Sequence, residues 1–305
     1  MASNLTELDA PAHTPAANAA ASPDELRALE AGLDELQSEK TSARRDFSRV
    51  LLPLAAVVVL LLAWQLLVSL DLKRRDLVPG PLDVFASLGR LWAEGLVQES
   101  VRTSLQRGLA GFAVSVAVGT PLGLLLGQVK TLRRAFGPLI SGLQVLPSVA
   151  WVPAAIIWFG LTDATAYFVV LMGAIPSIVN GMVAGIDQVP PQYRSVATVL
   201  GASRLELALQ VILPASLPGY VAGLKQGWAF SWRSLMAAEI IAVGGTMGYG
   251  LGSLLDQGRT LSDMGIVMSA VLVILAVGIL IELLVFGPVE RHLLQRRGLL
   301  AGSTR

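Results

Sequence analysis

The sequence predicts an all-α, polytopic membrane protein with six transmembrane helices, on three observations. The 305 residues are 53% hydrophobic and only 15% charged, whereas soluble globular domains carry roughly 25% charged residues. The deficit is uneven, because residues 1–49 hold 14 of the 45 charged side chains and leave 31 for the remaining 256 residues. Beyond residue 49, long charge-free runs recur, and about 20 apolar helical residues are what a hydrocarbon core roughly 30 Å thick requires.

Taken in order, Met1 to Ala21 is rich in Ala, Pro, Asn and Thr and has the composition of a disordered tail. It lacks the basic start, apolar run and small-residue cleavage site of a secretory signal peptide. Ser22-Pro23-Asp24-Glu25 is a capping box with proline at the first helical position. A helix is therefore expected over about 23–40, with Leu26, Leu29, Leu33 and Leu36 in one narrow apolar stripe. Two heptads are too few to specify a coiled coil, so this helix is expected to lie on the protein or the membrane surface.

Val50 to Leu70, Gly108 to Val129, Ala135 to Thr162, Ala164 to Ile186 and Met264 to Ile281 contain no Asp, Glu, Lys or Arg. In lipid each backbone N–H and C=O must be paired within its own segment, so each run is expected to be one helical span. A sixth span, Pro218 to Val243, is apolar and long enough but carries Lys225, Arg233 and Glu239. An even number of spans puts both termini on one side. With the N-terminus inside, the inner flanks hold thirteen Lys and Arg, from Lys40 to Arg305, against seven outside, which include Lys73, Arg74 and Arg75. That bias favours cytoplasmic termini. Glycines four apart at Gly119, Gly123 and Gly127, at Gly181 and Gly185, and at Gly219, Gly223 and Gly227 mark faces where helices approach closely.

Much chemistry is excluded. With no cysteine and only His13 and His292, thiolate metal sites, disulfides and thiol nucleophiles are absent. A net charge of +1 with scattered basic residues gives no nucleic-acid footprint. No GxxxxGK[ST] phosphate loop, HExxH or GxSxG motif occurs. What remains is a pore, a secondary carrier, or the membrane subunit of a machine whose motor is another polypeptide. A secondary carrier is expected to show inverted repeats and helices broken at mid-membrane, and the sequence shows no internal repeat.

Between spans four and five, residues 187–214 are too patterned for a simple connector. Pro191 begins a short helix, Gly201 ends it in a left-handed conformation, and Ser203 with Glu206 restarts the chain as helix. Val196, Val199 and Leu200 give this knob an apolar patch suited to a groove on a partner; the alternative is a loop packed on its own bundle. The segment resembles the EAA loop of bacterial ABC-transporter permeases: Ser195-Val196-Ala197, Gly201, Val211, Leu213 and Pro214 fall at that motif's spacings. Ser195 stands where the family has Glu and Val211 where it has Ile. Further stretches resemble the nitrate, sulfonate and taurine permease group: Leu77 to Pro81, Ser104 to Phe112 and Trp158-Phe159-Gly160. Gly227 to Glu239 is similar to the aliphatic sulfonate branch.

The resemblance implies a type I ABC importer permease fold in residues 50–290, flanked by a cytoplasmic N-terminal tail, 1–49, and a basic cytoplasmic tail, 291–305. It implies a coupling loop at about 188–214, with Arg194, Ser195, Val196, Ala197, Leu200, Gly201, Ala202, Val211, Leu213 and Pro214 touching an ATPase subunit. The implied protein is a homodimer in a bacterial cytoplasmic membrane, served by an extracytoplasmic solute-binding protein. It holds no cofactor, since ATP and Mg bind the partner ATPase. The implied substrate is a small anion, aliphatic sulfonate first, with nitrate, taurine or a thiamine-precursor pyrimidine as alternatives.

Arg233 and Glu239 are six residues apart, about 120° around a helix and about 9 Å along it, and so are poorly placed to pair with each other. Each needs a partner on another helix or a water-filled path, because an uncompensated charge in a bilayer costs at least about 2.5 to 3.5 kcal/mol. Trp232, Arg233 and Glu239 are therefore candidates for the translocation path, with an ion pair between helices or subunits as the alternative.

Overall fold

A computed structural model describes residues 48–70 and 77–296. The helix expected over 23–40, the Lys73 to Arg75 cluster and the chain beyond residue 296 lie outside the described residues. Two compact units are distinguished, and Val59–Thr304 holds every contact discussed below. Among the described residues the only regular structure is helical.

Helix α1, Ser48–Ser69, is followed by a short amphipathic helix α2, Pro81–Ala93. Proline at its first position and Asp83, which accepts a 3.1 Å hydrogen bond from the Gly80 N–H, fix the start of α2. Helix α3, Leu96–Gln128, is 33 residues and so about 50 Å long, more than a bilayer core needs. Its first turns, up to Arg107, precede the charge-free run.

Ala135 to Thr162, expected as one straight span, is not one. Helix α4, Lys130–Val145, stops at Leu146-Pro147; a tight turn, Ser148–Trp151, leads into α5, Val152–Phe159, and the two halves meet at 96°. The physical reason is Pro147. Its ring disfavours helical geometry in the residue before it, and Leu146 is extended with ψ of 124°.

Helix α6 is Asp163–Asp187 and α7 is Pro191–Val199. Helix α8 runs without a gap from Arg204 to Ile241, and α10 from Met264 to Gln295, with α9, Leu251–Thr260, between them. Both long helices widen for a stretch into π geometry, at Leu207–Ile212 and Glu282–Phe286. Each widening lies shortly before a proline, Pro214 or Pro288. A proline ring clashes with the carbonyl four residues back, and an extra residue per turn relieves the clash. Among the described residues four helices, α3, α6, α8 and α10, are long and apolar enough to cross a membrane; the bent α4–α5 pair makes a fifth if it counts as one span, and α1 is apolar over Leu54–Ser69.

Helix α6 is the most enclosed of the long helices, and the glycines explain how. A Cβ on Gly181 would strike the Gly223 backbone, one on Gly219 the Gly185 backbone, so α6 and α8 meet main chain to main chain. On another side of α6, Ile178, Met182 and Ile186, spaced four apart, sit over Gly119, Gly123 and Gly127 of α3. In lipid there is little hydrophobic drive between helices, and such close backbone approach supplies the dispersion contacts that replace it. A 2.5 Å hydrogen bond between Thr120 and Tyr220 ties α3 to α8 within this layer.

Candidate functional site

At the Asp187 end of α6 the chain forms the knob that its capping residues specify. Gly201, with φ of +79°, ends α7; the Ala202 N–H donates to Ala197 O and the Gly201 N–H to Thr198 O, each at 3.0 Å. These two bonds make a Schellman motif, which satisfies the last carbonyls of the helix. Ser203 and Glu206 then cap the start of α8 reciprocally, at 2.8 and 3.3 Å. The turn thus turns Val196, Val199, Leu200 and Leu205 outward, with Val199 86% and Leu200 80% exposed. Ala197 alone of the α7 residues is buried. Arg194 and Ala202 are half-buried, the Ser195 hydroxyl turns back to the Pro191 carbonyl at 3.4 Å, Val211 and Leu213 sit half-buried at the π turn, and Pro214 is exposed. Beside the knob, Arg133 of α4 grips Asp187 through two 2.6 Å hydrogen bonds.

Near mid-height of α6, the break between α4 and α5 opens a cavity of about 280 Å³ against α6 and α8. Gly173, opposite the break, lies about 15 Å from the Asp163 end of α6 and about 21 Å from the Asp187 end. Ser148 in the broken segment meets Ser234 of α8 at 2.7 Å. Gln144 accepts a 2.6 Å hydrogen bond from Asn180 and donates a 3.3 Å one to Ser177. Arg233 lines the same cavity. Its Nε donates to Ala229 O at 3.2 Å and its guanidinium lies 4.6 Å above the Phe230 ring. Among the described residues no carboxylate reaches it within 4.0 Å.

Of the three residues expected along a path, Arg233 is the exposed one. Trp232 is buried, stacked on Trp228 with centroids 6.1 Å apart, and its indole N–H donates to Ile274 O of α10 at 3.3 Å. Glu239 is wholly enclosed, and its partner is Arg107 of α3 at 3.0 Å. The carboxylate also accepts from the Ser104 hydroxyl at 2.7 Å and from the Gly252 N–H of α9 at 3.0 Å. Arg107 goes on to Asp163 at 2.7 Å and to Gly248 O at 2.9 Å. One arginine thereby clamps α3, the start of α6, the end of α8 and the loop before α9. Lys225, the third charge of the sixth span, pairs with Glu282 of α10 at 2.5 Å and Glu290 at 3.5 Å. Sequence reasoning missed Arg107, Asp163, Gln144 and Asn180 as partners. Arg107 and Asp163 did leave a signal: each is a charge at the very edge of a charge-free run, where it needs a neighbour.

Among the described residues no group of three or more His, Asp or Glu gathers as a metal site. A cation exposed at a helix break, a rigid clamp and an outward apolar knob suit transport coupled to a partner.

A family model described as the inner membrane component of binding-protein-dependent transport systems matches residues 119–287. The chain belongs to this family. It is similar to the bicarbonate transport system permease protein of Synechococcus elongatus, 31% identical over 251 residues that cover 78% of this chain and 88% of that protein. It is also similar to the taurine transport system permease protein of Escherichia coli, 27% identical over 256 residues covering 82% and 92%. Among solved structures, a chain of the inward-facing MetNI methionine ABC transporter shares the fold, with a TM-score of 0.57 at 18% identity, covering 66% of this chain and 97% of that one. Family membership decides between the classes left open by the residues: this is an ABC importer permease, a subunit of the inner membrane with several spans. The broken helix, a feature expected of a stand-alone carrier, belongs here to a permease.

Proposed function

We propose that the chain forms the homodimeric membrane path of an ABC importer for a small anion, with aliphatic sulfonate as the first substrate reading. The observation that carries this is the Arg233 guanidinium, exposed within the apolar run of a 38-residue helix long enough to span, with no carboxylate partner among the described residues. Facing lipid, such a charge would cost at least about 2.5 to 3.5 kcal/mol. Facing water at the seam between two copies, it offers two or more N–H donors to a passing oxyanion. Two relatives are named for bicarbonate and for taurine, and taurine carries a sulfonate. The bicarbonate relative supports a second reading, a small inorganic oxyanion. Nitrate belongs to the same charge class.

In this reading Glu239 and Trp232 hold the bundle together and Arg233 meets the substrate. Residues 194–214 dock in an ATPase subunit that binds ATP and Mg, and a solute-binding protein delivers the anion on the other face. The excess of basic residues on the inner flanks supports cytoplasmic termini. Arg233→Gln in the complete transporter is expected to abolish uptake of ethanesulfonate while the permease still copurifies with its ATPase. Uptake at the parental rate would overturn the assignment of Arg233 to the path. Growth of a deletion strain on ethanesulfonate, with sulfate as control, separates the sulfonate reading from the inorganic one.

A further inference from the structure

We propose that the cavity at the α4–α5 break is a substrate-binding site within the permease itself, built for a monoanion that carries a short apolar group. The proposal rests on the reading of Arg233 as a path residue and adds a pocket to it. The cavity is small, about 280 Å³, just below the roughly 300 to 1,000 Å³ of pockets that enclose drug-sized ligands. Arg233 is its one charged lining residue, so the site is matched to a single negative charge. The arginine is held in place: Nε is tethered to Ala229 O and the planar group rests on the Phe230 face. The terminal nitrogens are left to grip two oxygens of a bound group.

The polar side chains around it are also fixed before any ligand arrives. Gln144 is braced by Asn180 and Ser177, and Ser148 by Ser234. Bracing of this kind lowers the ordering cost of binding. The rest of the wall includes Leu146 and Pro147 from the break and Ala237, one helical turn from Arg233. A bare inorganic oxyanion gains nothing from such a wall, whereas each methylene of a short alkyl group placed there is removed from water. The pocket thus selects by tail as well as by charge, inside the membrane and separately from any selection by the binding protein.

The test uses the complete permease and ATPase complex in lipid nanodiscs without the binding protein. Equilibrium binding of radiolabelled ethanesulfonate is measured, with unlabelled nitrate and bicarbonate as competitors. Saturable binding is expected, with ethanesulfonate competing at least ~10-fold better than nitrate or bicarbonate. Ala237→Leu, which fills the apolar wall, is expected to weaken binding and uptake of ethanesulfonate at least ~10-fold. Gln144→Glu keeps the oxygen that Asn180 needs but sets a second negative charge in the site, and is expected to do the same. Copurification with the ATPase reports whether each variant has folded, and two variants of opposite chemistry guard against one that has not. Absence of saturable binding, equal competition by nitrate, or parental binding in both variants would overturn the pocket. If Arg233→Gln abolishes uptake while Ala237→Leu and Gln144→Glu leave it unchanged, the path reading stands and the pocket falls. If uptake survives Arg233→Gln, both fall.

Discussion

Glu239 shows how one residue's environment assigns its role. A carboxylate with no solvent exposure is tolerable only because Arg107, Ser104 and the Gly252 N–H saturate its oxygens. Removing the charge leaves Arg107, itself 4% exposed, with Asp163 as its one remaining carboxylate partner. Glu239→Gln is therefore expected to destabilise the protein by on the order of 3 to 5 kcal/mol, the cost of breaking a buried pair. Asp163→Asn should cost distinctly less, because Asp163 is 48% exposed and water takes over part of its role. Thermal unfolding of the detergent-solubilised chain measures both, and an Asp163 variant less stable than the Glu239 variant would contradict the clamp as described. The sequence showed that Glu239 needs a partner but not which one, because Arg107 stands 132 residues away and only the packing of α3 on α8 brings it near. Arg233 differs from Glu239 in the structure more than in the sequence. Its charge inside an apolar run drew attention just as those of Lys225 and Glu239 did, and only the structure shows that it alone of Trp232, Arg233 and Glu239 stays exposed.

At the scale of elements, most helices were readable because one rule, a backbone that must pair with itself in lipid, turns charge-free length into helix. The rule failed at Ala135 to Thr162, where counting charges does not register that Pro147 disfavours helical geometry at Leu146, which is extended here. A protein-lined cavity lets the backbone stay irregular at that depth. The knob was legible to the residue, since its proline, glycine and capping box act locally. The glycine repeats were legible as close faces but not as pairs. Gly181 and Gly185 meet Gly219 and Gly223, and the α3 glycines receive isoleucine and methionine instead. This difference sets an order of sensitivity. Gly181→Ala would push a methyl group into the Gly223 main chain, which has no rotamer to give way, and is expected to cost about 1 to 3 kcal/mol. Gly89→Ala in α2, where a Cβ meets nothing within 4 Å, is expected to be neutral or to stabilise by up to about 1 kcal/mol through helix propensity. Melting temperatures in one detergent compare the two, and a Gly181 variant as stable as the Gly89 variant would rule out backbone contact between α6 and α8.

Across the whole molecule two packed helices, α6 and α8, run past every site, and α8 is the longer of them. It starts at the knob, passes Arg233 at the cavity, and reaches the Arg107 clamp at Glu239, 38 residues and about 57 Å in all. Because α6 and α8 meet main chain to main chain, they are too tightly packed to bend independently. A displacement of the knob is therefore carried to the cavity and the clamp as a shift of packed helices, not absorbed on the way. In the proposed coupling role the grip on the knob comes from the ATPase, and Val199 and Leu200, more than three-quarters exposed, are free to meet it. Leu200→Asp consequently separates folding from coupling. The side chain touches little of its own protein, so the thermal stability of the isolated permease should stay within about 0.5 kcal/mol of the parent. Burying a carboxylate in an apolar groove of the ATPase is costly, so copurification of the ATPase is expected to be lost, and uptake with it. Retained copurification together with parental uptake would mean that the exposed face of α7 does not carry the partner, and the coupling role would have to move to another part of the Asp187 end.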